Sequence, residues 1–65
     1  MKLEYDFSTN RYNDLHCGNT LKVKINGIFE KVRIEYSDKL GWYFLSSNGV
    51  KRTCKSLEGA EIELN

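Results

Sequence analysis

The sequence predicts an all-β domain, and three observations carry that prediction. Apolar residues recur with period two almost everywhere, the spacing of half-buried strands rather than the i, i+3, i+4 stripe of a helix. Clusters of Asn, Asp, Ser and Gly fall between the alternating stretches, where turns need them. No proline occurs, so no strand lacks a backbone donor. The chain has 65 residues, room for a single domain, 1–65.

Lys2 to Phe7 alternates cleanly, with Leu3, Tyr5 and Phe7 on one face and Lys2, Glu4 and Asp6 on the other. This stretch, 1–7, reads as an added strand covering one open edge of a sheet. Residues 8–19 read as a loop, rich in side chains that compete for backbone hydrogen bonds, with Tyr12 and Leu15 anchoring it. The barrel proper is 20–64. Leu21 to Ile25 alternates and runs into Asn26-Gly27, the strongest short hairpin signal, because both central residues of a type I′ turn need positive φ. The strand returns from Ile28 to about Tyr36, with Val32, Ile34 and Tyr36 on one face and Lys31, Arg33 and Glu35 on the other. A two-residue turn pairs Ile25 with Ile28 and Val23 with Glu30, which turns a carboxylate inward. A bulge near Ile28-Phe29, or a wider loop, would swap the faces and bury Phe29; that repair is the expected register.

Ser37 to Gly41 makes the second turn. Trp42 to Leu45, four large residues in a row, reads as a central strand buried on both sides. Ser46 to Gly49 is the third turn and Val50 to Cys54 the fourth barrel strand. Ser56 to Gly59 fits a single 3-10 turn closed by glycine, and Ala60 to Leu64 alternates as the last strand. Five short strands in hairpin order, with one tight turn before the last, describe a small SH3-like barrel with an extra N-terminal strand. Closure suits so small a sheet, because open edges template aggregation. A five-stranded OB-like barrel is the alternative, but it carries a proper helix and needs more chain. Trp42, Phe44 and Tyr36 are expected to fill the core. Cys17 and Cys54 are expected as buried thiols of a reducing compartment.

Composition narrows the function. A formal net charge of +1 excludes a strongly basic or acidic tail protein. No apolar run approaches the roughly 18 to 20 residues that span a bilayer, and acids stand where a secretion signal needs an apolar stretch. A cytoplasmic protein without membrane contact is the expectation. His16-Cys17 invites a metal or thiol reading, yet neighbours in extended chain point to opposite sides, and zinc wants four ligands. A nucleophilic cysteine needs a histidine in reach and an orienting group, and this histidine is the only one. His16 is instead expected to bond a backbone group where the Leu21 strand begins. Gly18-Asn19-Thr20 has one glycine and no helix after it, so it is no phosphate loop. No catalytic residue, metal or cofactor is predicted.

Charge is unevenly placed. Residues 21–56 hold eight bases against three acids, while residues 57–65 hold three acids and no base. Lys22, Lys24, Lys31 and Arg33 fall on the outward face of one hairpin, where cross-strand neighbours sit about 5 Å apart. With Lys51, Arg52 and the aromatic Phe29 they form the candidate binding surface. The plainer reading is that lysines on an exposed strand face guard it against pairing. Two functions follow. The first is a non-enzymatic module that binds an unidentified protein partner through a face of about 800 Å². The second is nucleic-acid binding on the basic outer face of the Leu21–Tyr36 hairpin, with stacking on Phe29, Tyr36 or Tyr43. A small core and an uncapped edge also favour a homodimer.

One longer pattern stands out. Leu15-His16-Cys17-Gly18-Asn19 is followed by Leu21-x-Val23-x-Ile25-Asn26-Gly27 and Phe29, then by Arg33-Ile34-Glu35, Trp42-Tyr43-Phe44 and Leu57-Glu58-Gly59. On these residues, from Leu15 to Leu64, the chain resembles a family of small bacterial domains of unknown function from Gram-positive bacteria, their phages and mobile elements. The Leu-His-Cys-Gly run is the specific part. The family often has tryptophan at the position of Phe29, proline near Lys31 and a shorter path from the Trp-Tyr strand to the Leu-x-Gly turn; here Ser46 to Ser56 is longer and more basic. The resemblance implies a small β domain without an assigned activity.

Overall fold

The computed structural model describes residues 1–64. Among the described residues seven strands are present: β1 (Tyr5–Asp6), β2 (Arg11–Tyr12), β3 (Thr20–Ile25), β4 (Ile28–Ser37), β5 (Gly41–Ser46), β6 (Lys51–Thr53) and β7 (Ile62–Leu64). A 3-10 turn, Lys55–Leu57, precedes β7. β1 and β2 pair as a small ribbon, and the other five form one antiparallel sheet in the order β6-β5-β4-β3-β7. Among the described residues no helix is long and apolar enough to cross a membrane.

Asn26-Gly27 sets the central register. Both residues have positive φ, 52° and 82°, the type I′ geometry. Pairing runs without a slip from Ile25 opposite Ile28 to Thr20 opposite Arg33. The bulge expected near Ile28-Phe29 does not form. Glu30 therefore lies opposite Val23 on the core side. That position is tolerable because the hairpin tip runs past the core: Ile28 is 72% exposed, and Glu30 meets Arg52 at 3.6 Å. Phe29 takes the outer face, opposite Lys24.

The extra residue sits elsewhere. Gly18 N–H donates to the Ile34 carbonyl at 2.8 Å, and Ile34 N–H donates to the Asn19 carbonyl at 2.9 Å. Two residues thus face one, and the first is a glycine at φ 91°, which is a G1 bulge. The turn before it is closed by Asn19 N–H on the His16 carbonyl at 3.0 Å. Asn19 Oδ1 accepts in return from His16 N–H at 2.8 Å. A left-handed third residue is what a type II turn demands. This geometry uses Gly18 and Asn19 and leaves the side chains of His16 and Cys17 outside. Cys17 is exposed, not buried as expected.

The core lies on the inner face of the sheet. Leu21, Val23, Val32, Ile34, Phe44 and Ile62 are almost fully covered, and Leu3, Tyr12, Leu15 and Cys54 close over them. Burial pushes the Cys54 thiol up to about 12. The Tyr12 hydroxyl donates to Glu58 Oε1 at 2.8 Å. Burial first, and that carboxylate second, raise the pKa of Tyr12. Ser46 is the one buried polar side chain among the described residues, and its hydroxyl is satisfied within its own turn by Asn48 and Val50.

Aromatic burial differs from the expectation. Phe44 is in the core, but Trp42 is only half-buried, with its indole N–H donating to the Asn10 carbonyl at 2.9 Å. Tyr36 is exposed and stands edge-on to Trp42 at 5.1 Å. β5 is central in the strand order yet buried on one face only: Phe44 and Ser46 are covered while Tyr43 and Leu45 are half-open. Alternation tells which side a residue takes; it does not tell whether anything covers that side.

The predicted strand over residues 1–7 is split. Residues 1–3 line the far edge of β7, with Lys2 bridged to Glu61 and Leu3 N–H donating to the Ala60 carbonyl at 2.8 Å. The chain then turns away, and Tyr5–Asp6 pairs with Arg11–Tyr12, inside the stretch expected to be loop. Asn13 holds the crossing point. Its amide donates to the Lys2 carbonyl at 3.0 Å and accepts from Glu4 N–H at 2.9 Å, as a neighbouring strand would.

Candidate binding surface

Thr20, Lys22 and Lys24 alternate with the buried Leu21 and Val23, so they face outward. Directly paired residues share a face. Arg33, Lys31 and Phe29 of β4 therefore lie beside them, followed by Leu45 and Tyr43 of β5 and by Lys51 of β6. Lys22, Lys24, Phe29, Lys31, Arg33 and Lys51, all expected in the binding surface, come together on this outer face. Arg52 does not. It sits opposite Phe44, on the core side, where it meets Glu30. One step of strand parity separates it from Lys51.

The charges on this face are not all neutralised. Lys22 stands directly opposite Lys31, an arrangement that destabilises a sheet. Its other neighbour is Glu63 of β7. Arg33 Nε lies 2.6 Å from Glu35 Oε2, which leaves other donors of its guanidinium fork for a ligand. Lys24 Nζ hangs 5.7 Å over the Phe29 ring, and Lys51 Nζ 5.5 Å over the Tyr43 ring. Both fall within the roughly 6 Å reach of a cation–π contact.

A groove of 440 Å³ opens here, lined by Thr20, Lys31, Val32, Arg33, Leu45, Ser46 and Ser47. Leu45, half-open, is the apolar side chain on the groove's surface, Val32 lying sealed beneath it on the core side, and Lys31 and Arg33 supply positive charge. Among the described residues no carboxylate lines it. The sequence reading missed this groove, along with Leu45 and Tyr43 as outer-face residues. Finding it requires the β4–β5 register, in which Val32 pairs with Ser46 and Arg33 with Leu45. The only signal in the sequence was the parity of Trp42 to Leu45, hidden by four large residues in succession.

A family profile, described as a domain of unknown function, matches residues 1–64. The chain belongs to the DUF5348 family. No curated protein matches it, and neither does any solved structure. The match takes in the N-terminal residues ahead of Leu15, so the β1–β2 ribbon belongs to the DUF5348 unit together with the sheet. In this DUF5348 domain the Leu15–Asn19 run has a physical job. Leu15 is buried, and Gly18 with Asn19 makes the bulge that starts β3.

Proposed function

We propose that this DUF5348 domain is an SH3-like interaction module, without catalytic activity of its own, that holds a segment of a protein partner in the groove between β4 and β5. The SH3-like reading is supported by the strand order β6-β5-β4-β3-β7 and by the 3-10 turn ahead of β7. The groove carries the binding reading. It sets the half-open Leu45 beside two cations and, among the described residues, has no carboxylate. The complementary ligand is an extended segment with one bulky apolar side chain flanked by carboxylates. Burying such a side chain contributes roughly 1.5–3 kcal/mol, while the charges set orientation and on-rate more than affinity.

A synthetic peptide alternating aspartate with phenylalanine, titrated into the nitrogen-labelled domain, tests this by NMR. Amide shifts should concentrate at Thr20, Lys31, Arg33, Leu45 and Ser47 and shrink as salt is raised. No shifts, or shifts confined to the opposite side of the sheet, reject the proposal. A second reading, single-stranded nucleic acid laid along the outer face, is favoured by the two ring–ammonium pairs and by Lys22 facing Lys31. Rings on such a face serve as stacking platforms. A labelled oligothymidine separates the two. Binding that falls steeply with salt, and falls again on Phe29→Ala and Tyr43→Ala, supports the second reading.

A further inference from the structure

The chain itself carries a segment with the chemistry assigned to the groove's ligand. Glu4, Tyr5, Asp6 and Phe7 run into the tip of the β1–β2 ribbon. Phe7 is 85% exposed, the most exposed large apolar side chain among the described residues. It is nonetheless held in place. Its ring stands edge-on to Tyr5 at 4.9 Å, and Tyr5 stands edge-on to Tyr12 at 5.0 Å. The Tyr5 hydroxyl donates to Asn10 Oδ1 at 3.0 Å. Asn10 N–H closes the turn on the Asp6 carbonyl at 2.8 Å. The Asp6 carboxylate accepts from the Ser8 N–H at 2.9 Å and from its hydroxyl at 2.6 Å. Two depressions border Phe7; their charged lining is Glu4, Asp6, Asp14 and Glu58 together with Lys2, and Glu58 already accepts from Tyr12. The tip is an aromatic knob whose charged neighbours are mostly acids, Lys2 being the exception.

Resting on the groove reading above, we propose that the tip of one copy docks in the groove of a second copy, with Phe7 against Leu45 and with Glu4 and Asp6 against Lys31 and Arg33. Knob and groove match in both respects that matter: apolar centre to apolar wall, negative rim to positive rim. A knob already held in its bound form loses little freedom on docking, which favours association. One aromatic anchor buries far less than the roughly 1,200 Å² of a stable complex, so the contact is weak and concentration-dependent. The second copy and the protein partner occupy the same groove and exclude each other. Self-association therefore sets how much of the domain is open to its partner.

Sedimentation of the full chain at millimolar concentration tests this. In low salt the average mass should rise above the monomer with concentration, and in high salt it should return to the monomer. Phe7→Ser should weaken association about tenfold, or more, as loss of an aromatic anchor does. Phe7 is exposed, so the variant should keep the parent's circular dichroism. A charge exchange supplies the second arm. Glu4→Lys, and separately Lys31→Glu with Arg33→Glu, should each associate less than the parent alone and more when mixed. A parent chain that stays monomeric throughout, a Phe7→Ser variant that associates like the parent, or a mixture that associates no more than its parts overturns the inference. If the peptide still shifts the groove amides while the chain stays monomeric, this inference alone falls. If the peptide shifts nothing, the groove reading falls with it.

Discussion

The inner and outer faces of β3, β4 and β5 are made from alternate residues of the same backbone, and they follow opposite rules. On the inner face Leu21 meets Val32 and Ile34 meets Phe44, every one nearly sealed from water. On the outer face Lys22 meets Lys31 and Arg33 meets Leu45, with rings half-open between the cations. Folding accounts for the first set. It does not account for the second, because two lysines placed opposite each other work against the sheet that carries them. The two faces thus differ in what holds them: burial on one, ring–ammonium contacts and the Arg33–Glu35 pair on the other.

The largest test of this contrast lies between two consecutive residues. Phe44→Ala empties the inner face and should cost about 3–5 kcal/mol. A domain this small buries only about 60% of its unfolded surface, so that loss should leave it largely unfolded in a urea titration at 25 °C. Tyr43→Ala, one step along β5 and on the other face, should cost about 1 kcal/mol or less and leave the far-ultraviolet spectrum intact. Equal costs would mean that the two faces are not energetically distinct.

Alkaline pH probes the sealed side alone. Cys54 is raised from 9.0 to about 12 by burial, and Tyr12 is raised in the same direction by burial and by Glu58. The folded chain therefore keeps protons that the unfolded chain releases. Stability from these groups is complete below about pH 9 and is lost as pH climbs toward the folded values, by up to about 1.4 kcal/mol per pH unit for each group. Urea midpoints between pH 8 and pH 11 should fall on that slope. Cys54→Ala should remove the thiol's share of it.

The bulge gives the next smaller effect. Gly18 has φ 91° and nothing within 4 Å of where a side chain would begin, so the penalty there is one of backbone conformation alone. Gly18→Ala should cost about 1–2 kcal/mol by thermal denaturation. Cys17→Ala, next to it and exposed, should change stability by less than about 0.5 kcal/mol.

These positions also mark what could be read in advance. Alternation placed the strands of the main sheet, and Asn26-Gly27 carried the central register, because positive φ at both residues leaves the backbone little choice. Parity then put Lys22, Lys24, Lys31 and Arg33 on one side; Phe29, expected inside, joins them because no bulge forms, and Lys51 joins them through the β5–β6 register. The bulge was expected at Ile28-Phe29, where a carboxylate faced inward, and stands instead at Gly18-Asn19. The carboxylate of Glu30 needed no backbone repair, since Arg52 lies within reach on the same side. That contact joins β4 to β6, two strands that are not neighbours in the sheet, and local spacing holds no trace of it. Tyr36 stands on the core side of β4 but beyond the core's reach, with only Trp42 edge-on against it, and Phe7 lies past the end of β1 with Tyr5 edge-on against it.

The smallest expected effect is the sharpest, because its two readouts move in opposite directions. Lys31→Glu turns the like-charged pair with Lys22 into an attractive one, which should stabilise the domain by roughly 0.2–1 kcal/mol in low salt and by less in high salt. The same substitution puts a carboxylate in a groove lined by none. Binding of the acidic peptide and association of the chain should both fall severalfold while the melting temperature rises. A surface that only keeps the sheet in solution would show the gain in stability and no loss of either contact.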